Sequence, residues 1–309
     1  MHFDIDKHTI FKTVTGSHAY GMATPTSDID VRGVAIAPKS TVAGFAYNFE
    51  QYEDKENDIV IYDIRKFFQL ATKNNPNIIE LLFIDEKHWQ YHNTFWSMHI
   101  HPHRHLFLHK GCHHRYTGYA HAQLKRIKTH KQWLLDPPKE KPLRANYGLP
   151  EQKKLTNDER GALNKLIEDD YDIGKEIMAY LVQEKQYQAH LNQWKQYSNW
   201  KKHRNPARAE LEQKYGYDTK HASHLIRLLK QGIEILQTHD LVIGRQEDAE
   251  ELLAIRTGLY SYDELMEVAQ KLEETSEKWY NKSALRNAPD IKTINQLCVK
   301  AQEDFWEIS

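Results

Sequence analysis

The chain carries two short stretches near its N-terminus, Gly16-Ser17-His18-Ala19-Tyr20-Gly21 and, after a polar segment, Ser27-Asp28-Ile29-Asp30. Residues 10–15, just before the first stretch, are rich in β-branched side chains and predict a strand that enters a tight turn at Gly16. Residues 29–37 alternate well enough to predict a second strand, which ends at Pro38. We therefore expect strand, glycine turn and strand, with two carboxylates at the start of the second strand.

This arrangement suits a site for phosphate and metal. A glycine at the end of a strand lets the backbone approach a triphosphate, and Ser17 can open a helix whose free N–H groups face the anion. Asp28 and Asp30 are one residue apart and point to the same face of a strand. Their oxygens suit Mg²⁺, or Mn²⁺, and two such ions could clamp a phosphoryl transfer. Gly16 and Ser17 are thus predicted to bind a nucleotide, and the aspartates to bind metal.

Further along the chain, residues 58–62 predict a third strand. Apolar side chains then recur at helical spacing from Ile64 to Ala71, and Asp63 stands where the N-cap of that helix is expected. The arrangement predicts an α/β unit with a small mixed sheet.

Most of the remaining chain has apolar residues at three- and four-residue steps. This spacing predicts helices near 157–170, 172–202, 218–238, 246–257, 261–283 and 291–306. Three prolines between Leu135 and Gly148 indicate a linker or crossing loop. We therefore predict an α+β fold, with a catalytic domain at residues 1–135 that carries the two N-terminal stretches and a helical domain at 136–309 that completes the nucleotide and substrate cleft.

The bulk composition excludes several classes of protein. The two cysteines, Cys112 and Cys298, have neither metal-binding nor disulfide-scaffold spacing and indicate a reducing compartment. The N-terminus lacks the pattern of a secretory signal, and no apolar run approaches the ~18 residues of a membrane helix. We expect a cytoplasmic protein with no membrane partner, and the sequence leaves its oligomeric state open.

Charge is unevenly distributed, although the formal net charge is −1. The 49 residues from Lys87 to Leu135 contain no acid, eight Lys or Arg and 11 of the 19 histidines. Such a block indicates a surface for a polyanion. The residues predicted to bind nucleic acid are Arg104, Lys110, Arg115, Lys125 and Arg126.

The histidines and aromatic residues of this block permit other interpretations. His99, His101, His103 and His105 alternate along a possible strand, which Pro102 weakens. Imidazoles are good zinc ligands, but the block has no cysteine partner pattern, so we favour the nucleic-acid groove over a zinc site. Aromatic residues such as Tyr119 could stack on unpaired bases.

The helix predicted at 218–238 carries Lys220, His224 and Arg227 at positions i, i+4 and i+7, on one face. The face is either a solvated basic surface or a nucleotide-binding one. We predict that Lys220 and His224 bind the nucleotide.

The first two stretches resemble the signature of DNA polymerase β-like nucleotidyltransferases, Gly-Ser followed by Asp-x-Asp. Together with Val31-Arg32-Gly33 and Asn75-Pro76-Asn77-Ile78-Ile79-Glu80-Leu81-Leu82, they resemble the RNA-ligase-associated, RNA repair pathway nucleotidyltransferase family of bacteria and phages. Similarity to later blocks around Gly118 and Tyr217 extends the resemblance over roughly residues 10–260. A phage origin is therefore an expectation.

The resemblance implies that Asp28 and Asp30 bind both metals and that a third acid on a neighbouring strand binds the catalytic one. Asp58 and Asp63 are the candidates for that acid. Asp63 has a competing function as an N-cap, so we favour Asp58 as a catalytic and metal-binding residue and keep Asp63 as the alternative.

The sequence thus predicts an enzyme that transfers a nucleoside monophosphate from an NTP to a hydroxyl, releasing pyrophosphate. The expected acceptor is an RNA end, from tRNA or a broken RNA. The alternatives are a protein or small-molecule acceptor, and a non-catalytic nucleic-acid-binding module. The identity of the NTP and any role for a template stay open.

Overall fold

The structure, a computed structural model, describes residues 3–25, 27–153, 155–168 and 174–308. The chain forms two compact units. One contains the chain up to Ile127 together with the chain from Asp218 onward, and the other contains Lys128–Tyr217. These boundaries differ from those of the predicted domains 1–135 and 136–309, whose assignment stays a prediction. The last helices lie in the same unit as the sheet.

A mixed sheet forms the centre of the first unit. Within the described residues it has five strands, in the order β3-β4-β2-β1-β5. β2 and β4 are parallel, and the other neighbours are antiparallel. The strands are β1 (Thr9–Val14), β2 (Val31–Ala35), β3 (Gln51–Asp54), β4 (Ile59–Asp63) and β5 (Trp89–His92).

Helices make up most of the rest of the described chain. The α-helices are α1 (Ile5–His8), α2 (Gly16–Ala19), α3 (Lys39–Ala43), α4 (Ile64–Ala71), α5 (Pro76–Phe83), α6 (Cys112–Leu135), α7 (Asn157–Glu168), α8 (Lys175–Lys202), α9 (Pro206–Tyr215), α10 (Thr219–Thr238), α11 (Gln246–Arg256), α12 (Tyr262–Lys282) and α13 (Ile291–Ile308). Short 3₁₀ segments span Glu86–His88, His101–Phe107 and Arg144–Tyr147, and Trp96–Ile100 forms a π-helical turn. The predicted α+β fold with a small mixed sheet and later helices is confirmed.

None of the helices in the described ranges combines the length and the apolar composition that a membrane span requires.

Aromatic packing joins the sheet to its surroundings. Phe11 of β1 stacks on Trp96, with 3.8 Å between the ring centroids and 7° between the planes. Phe67 of α4 meets the same tryptophan edge-on at 6.0 Å. From α13, Trp306 donates its indole N–H to the carbonyl of Ala37 at 2.9 Å, just beyond the end of β2. The C-terminal helix therefore packs against the N-terminal sheet within one unit.

The strand suggested for His99 to His105 is wrong. These residues lie in the π-helical turn and the 3₁₀ helix, and Pro102 occupies the first turn of the latter. The buried residues of this segment, Trp96, Ile100 and Phe107, follow a helical spacing that the alternating histidines obscure. Helix α7 is described as far as Glu168, and the last residues of the helix predicted near 157–170 and the first of the one predicted near 172–202 fall on residues 169–173, which lie outside the described ranges.

The predicted N-cap role of Asp63 is confirmed. Its side chain accepts hydrogen bonds from the backbone N–H of Arg65 at 2.9 Å and from Arg65 Nε at 2.8 Å. The residue is 1% exposed, and burial raises the pKa of its carboxyl although Arg65 acts in the opposite direction. Asp63 thus fixes the junction between β4 and α4.

Replacing this cap should destabilise the fold. We expect Asp63→Ala to lower the free energy of unfolding by about 1–3 kcal/mol, because it removes the cap and leaves Arg65 without its carboxylate. Urea unfolding followed by circular dichroism measures the change. Asp63→Asn is the matched control, since asparagine is also a good N-cap and should cost less. Equal losses for the two variants would contradict the capping role.

Candidate active site

The turn at Gly16 brings the start of α2 next to Asp30. The backbone N–H and hydroxyl of Thr15 both bond to the Asp30 carbonyl, at 2.8 and 3.2 Å. Gly16 then adopts a φ of +62°, a conformation that favours glycine. A Cβ added at this position would collide with the Asp30 carboxylate. Both the backbone conformation and the close approach of Asp30 therefore require glycine at position 16. Ser17, the next residue, lines the same cavity as Asp30.

The parallel pairing of β2 with β4 brings two carboxylates together. In its register Val31 pairs with Ile59, and the N–H of Val31 donates to the Asp58 carbonyl at 3.0 Å. Asp30 and Asp58 therefore precede the two strands at the same end of the pair. Their carboxyl groups are hydrogen-bonded to each other. Asp28 is exposed and lines the same cavity as these two acids.

Arg32 lies between the two paired acids. Its Nη2 is 3.0 Å from Asp58 Oδ1 and 3.8 Å from Asp30 Oδ1. Burial raises the pKa of Asp30 to about 6, and the hydrogen bond and charge of Asp58 act in the same direction. The hydrogen bond from Asp30 lowers the pKa of Asp58. The sequence reasoning gave Arg32 no role, because only the strand pairing brings it to both carboxylates.

The donor set fits a divalent cation. Two neighbouring carboxylates repel each other, a divalent cation between them relieves this repulsion, and hard oxygen ligands suit Mg²⁺ or Mn²⁺. Asp28, Asp30 and Asp58 supply such oxygens around one cavity. We call these three residues the acidic wall.

Asp63 lies apart from the acidic wall. It is five residues beyond Asp58, which corresponds to about 16 Å along a strand. It lines a different cavity, together with Phe49 and Arg65. Asp58, in contrast, stands in the left-handed region with a φ of 50° and directs its carboxylate to Asp30. This geometry favours Asp58 as the third acid, which stays a prediction.

Helix α10 supplies cations to the same cavity. Asp218 caps the helix by accepting from the N–H of His221 at 3.0 Å. Lys220, His224 and Arg227 then line the cavity, as their common face predicts. Arg256, at the end of α11, also lines it and was not identified from the sequence. We call Lys220, Arg227 and Arg256 the basic wall.

The acidic wall and the basic wall line one cavity of about 410 Å³, which we call the first cavity. Besides the two walls it is lined by Gly16, Ser17, Met22, Ser27, Ser223 and His224. Gly16, Ser17, Lys220 and His224, predicted to bind a nucleotide, therefore lie around the same space as the acids. Their nucleotide-binding role stays a prediction.

Arg227 is held in place by a network from α5 and α2. Its Nη1 is 3.0 Å from Glu80 Oε1, and both side chains are largely buried. Its guanidinium lies 4.3 Å from the centre of the Tyr20 ring, and the Tyr20 hydroxyl accepts from Gln231 at 2.7 Å. Burial alone would lower the pKa of Arg227, but Glu80 and Tyr20 raise it. The sequence reasoning did not identify Glu80 as a partner of Arg227. The one indication in the sequence is that this acid stands within the apolar segment from Ile78 to Leu82.

The cations of the basic wall affect the protonation of His224. Burial lowers the pKa of its imidazole to about 2, and Arg227, Arg256 and Lys220 add to the effect. The side chain is therefore neutral at pH 7, surrounded by cations. Such a concentration of positive charge attracts an anion. The charge of Lys220 also lowers the pKa of Asp30 in the acidic wall, against the larger effect of burial.

The residues predicted to bind nucleic acid separate into groups. Arg115 and Arg126 of α6 line another cavity, the second cavity, which measures about 560 Å³. Lys125 is exposed on the same helix and is not among the described residues that line it. Arg104 lies over Phe83 at 5.5 Å and donates to the His101 carbonyl at 3.1 Å. Lys110 is half-buried, with its N–H on the Arg286 carbonyl.

Several histidines of the basic block pair with the C-terminal part of the same unit. His105 Nε2 is 3.1 Å from Asp240, and His121 Nε2 is 2.9 Å from Glu273. His113 Nδ1 is 2.9 Å from the Ser276 hydroxyl. These side chains hold helices together, so they contribute to the structure of the unit.

Part of the chain is similar to a known protein family. Residues 2–136 match the RNA repair pathway DNA polymerase beta family. An uncharacterized 38.9 kDa protein encoded in the nrdC-mobD intergenic region of Enterobacteria phage T4 is 30% identical over 84 residues. The alignment covers 24% of this chain and 25% of that relative, so the chain matches about a quarter of the relative's length. No solved structure matches the chain.

The predicted family resemblance is therefore confirmed over residues 2–136, and the phage relative supports the expected phage origin.

Metal binding should distinguish Asp58 from Asp63. We expect Asp58→Asn to weaken Mn²⁺ binding by about tenfold or more, because it removes a charged oxygen from the acidic wall. Asp63→Asn is the matched control and should leave the affinity unchanged. Electron paramagnetic resonance of free Mn²⁺ measures both affinities. If Asp63→Asn weakens binding and Asp58→Asn does not, the choice of Asp58 is wrong.

Proposed function

We propose, starting from the match of residues 2–136 to the RNA repair pathway DNA polymerase beta family, that this protein is a nucleotidyltransferase acting on RNA. It transfers a nucleoside monophosphate from an NTP to a hydroxyl at an RNA end and releases pyrophosphate. The first cavity holds the nucleotide.

One observation carries this proposal: the acidic wall and the basic wall line the same cavity. Carboxylates alone would repel a triphosphate, and cations alone would not bind a metal. A nucleoside triphosphate complexed with divalent cations would satisfy both walls, because the basic side chains would bind its phosphates and the acids would hold its metal ions. A cavity of about 410 Å³ also falls in the usual range for small-molecule sites.

Asp28, Asp30 and Asp58 would hold Mg²⁺ or Mn²⁺. When bound, these ions would supply charge stabilisation for the attacking and leaving oxygens of the transfer. Arg32, which contacts Asp30 and Asp58, fixes the orientation of the two carboxylates. Gly16 keeps the backbone close to Asp30, so that Ser17 stands beside the phosphate-binding space.

In the reaction, the oxygen of the acceptor hydroxyl attacks the α-phosphorus and forms a new P–O bond. The bond from that phosphorus to the oxygen bridging to the β-phosphate breaks, and pyrophosphate leaves with the electron pair. The hydroxyl proton passes to Asp58, the third acid. Lys220, Arg227 and Arg256 stabilise the negative charge that develops on the leaving group. His224 is neutral at this pH and can hydrogen-bond a phosphate oxygen as a donor.

RNA is the favoured acceptor for two reasons. The family description refers to RNA repair, and the acid-free block from Lys87 to Leu135 supplies Arg115 and Arg126 to a cavity that shares His224 and Arg227 with the first cavity. A protein or small-molecule acceptor would use the same nucleotide chemistry but would not require that block.

The activity can be tested directly. The wild-type protein, incubated with Mg²⁺, RNA ending in a free hydroxyl and each NTP labelled at the α-phosphate, should yield labelled RNA with at least one NTP. We expect Asp28→Asn to reduce the rate by about 10³-fold or more, because it removes a metal ligand from the acidic wall. Gel electrophoresis of the RNA measures the transfer.

Asp263→Asn, the same substitution at an exposed position of α12, is the matched control and should keep the rate. If the label is found on protein instead of RNA, the proposed RNA acceptor is wrong, but nucleotidyl transfer itself is supported. Equal labelling by the wild-type protein and Asp28→Asn would refute the proposed function.

A further inference from the structure

The second cavity adjoins the first. His224 and Arg227 line both, so these two side chains form the boundary between them. The second cavity, at about 560 Å³, is at least as large as the first. An extended ligand in the second cavity therefore has one end next to the nucleotide site.

The two cavities differ in charge. Among the described residues that line the second cavity there is no Asp or Glu, whereas Arg115, Arg126 and Arg227 contribute cations. The first cavity combines cations with the acidic wall. The first cavity is thus suited to phosphates that carry metal ions, and the second to phosphates that bind arginine directly.

Helix α6 presents these groups along one face. Arg115, Tyr119 and Arg126 all line the cavity, and Arg126 lies eleven positions after Arg115, which corresponds to about 16 Å of helix. This distance is too long for the two arginines to bind one phosphate group. It suits a strand with several phosphates, of which successive ones meet different arginines.

The side chains are also oriented by their neighbours. Arg115 Nε donates to the carbonyl of Lys73 at 3.1 Å, which fixes the guanidinium. The Tyr119 hydroxyl accepts from Asn75 Nδ2 at 3.0 Å, which fixes the aromatic ring at the cavity wall. An aromatic ring between cations is the arrangement that binds unpaired bases by stacking while phosphates bind the arginines.

A nucleobase of the NTP would be the other natural occupant of a neighbouring cavity. A base carries no negative charge, so it would not explain why arginines stand at both ends of the α6 face. The charge of the cavity therefore favours the acceptor over the base.

We propose that the second cavity is the acceptor subsite and binds a single-stranded RNA end, with its phosphates on Arg115 and Arg126 and a base on Tyr119. The inference rests on the proposed function and adds the location of the RNA. The terminal hydroxyl then reaches the first cavity past His224 and Arg227. The proposed subsite contains Arg115 and Arg126. Lys125, Lys110 and Arg104, which the sequence also predicts to bind nucleic acid, are not among the described residues that line it.

Binding of RNA and of nucleotide should be measured separately on the full chain. Fluorescence anisotropy of a labelled single-stranded RNA, without NTP, gives the RNA affinity, and titration of an NTP with Mn²⁺ gives the nucleotide affinity. We expect Arg126→Glu to weaken RNA binding by about tenfold or more and to reduce its salt dependence. The same variant should leave NTP binding unchanged.

Two further variants give the comparison. Lys278→Glu, an exposed position of α12 that lines neither cavity, has the same charge change and should leave RNA binding nearly unchanged. Lys125→Glu, next to Arg126 on α6, should weaken it less than Arg126→Glu does. Thermal unfolding of each variant identifies any loss that comes from misfolding, and Arg126→Gln then repeats the test with a milder change.

The outcomes distinguish the acceptor subsite from the proposed function. Equal losses for Lys125→Glu and Arg126→Glu would mean a general basic surface and would overturn the subsite. Weaker NTP binding with unchanged RNA binding would identify the cavity as a base pocket and overturn it as well. Absence of RNA binding by the wild-type protein, with metal-dependent NTP binding intact, would refute the subsite and leave nucleotidyl transfer to another acceptor.

Discussion

The parallel pairing of β2 with β4 is the constraint on which the candidate active site depends. It aligns the residues that precede the two strands, so that Asp30 and Asp58 meet although 28 positions separate them in sequence. Two neighbouring carboxylates repel each other when both are charged, and the cationic side chain of Arg32 offsets this repulsion. Any shift of this register would separate the acids and move Arg32 away from one of them.

The opposite charge comes from a different part of the chain. Helix α10 begins at the cap of Asp218 and turns the face of Lys220, His224 and Arg227 to the same cavity as the acids. Its apolar face, which includes Leu225 and Leu229, is buried, so packing in the core sets the orientation of the basic face. Helix packing and strand pairing together thus bring two groups of charges to one space.

Local features of this arrangement could be predicted from the sequence. The strand before Gly16, the cap at Asp63 and the cationic face of α10 each depend on residues that are close in sequence, so their spacing is informative. The partners of these features could not be predicted. Arg256 and the pairing of Glu80 with Arg227 depend on tertiary packing between distant segments. The alternation of histidines from 99 to 105 misled the prediction, because it follows neither the buried residues nor the turn at Pro102.

If the acidic wall holds a cation, as proposed, Asp58 and Asp30 would couple the folding of the chain to the binding of that cation. A non-glycine residue with a φ of 50° costs free energy, and the neighbouring carboxylate of Asp30 adds repulsion. An ion that binds the folded chain removes this repulsion and shifts the equilibrium between folded and unfolded chains towards the folded state. The charged carboxylate of Asp30 would therefore destabilise the fold without the ion and contribute to its stability with the ion. The two pKa shifts place this cost on Asp30, because the hydrogen bond to Asp30 and the charge of Arg32 favour the charged form of Asp58, whereas burial disfavours the charged form of Asp30.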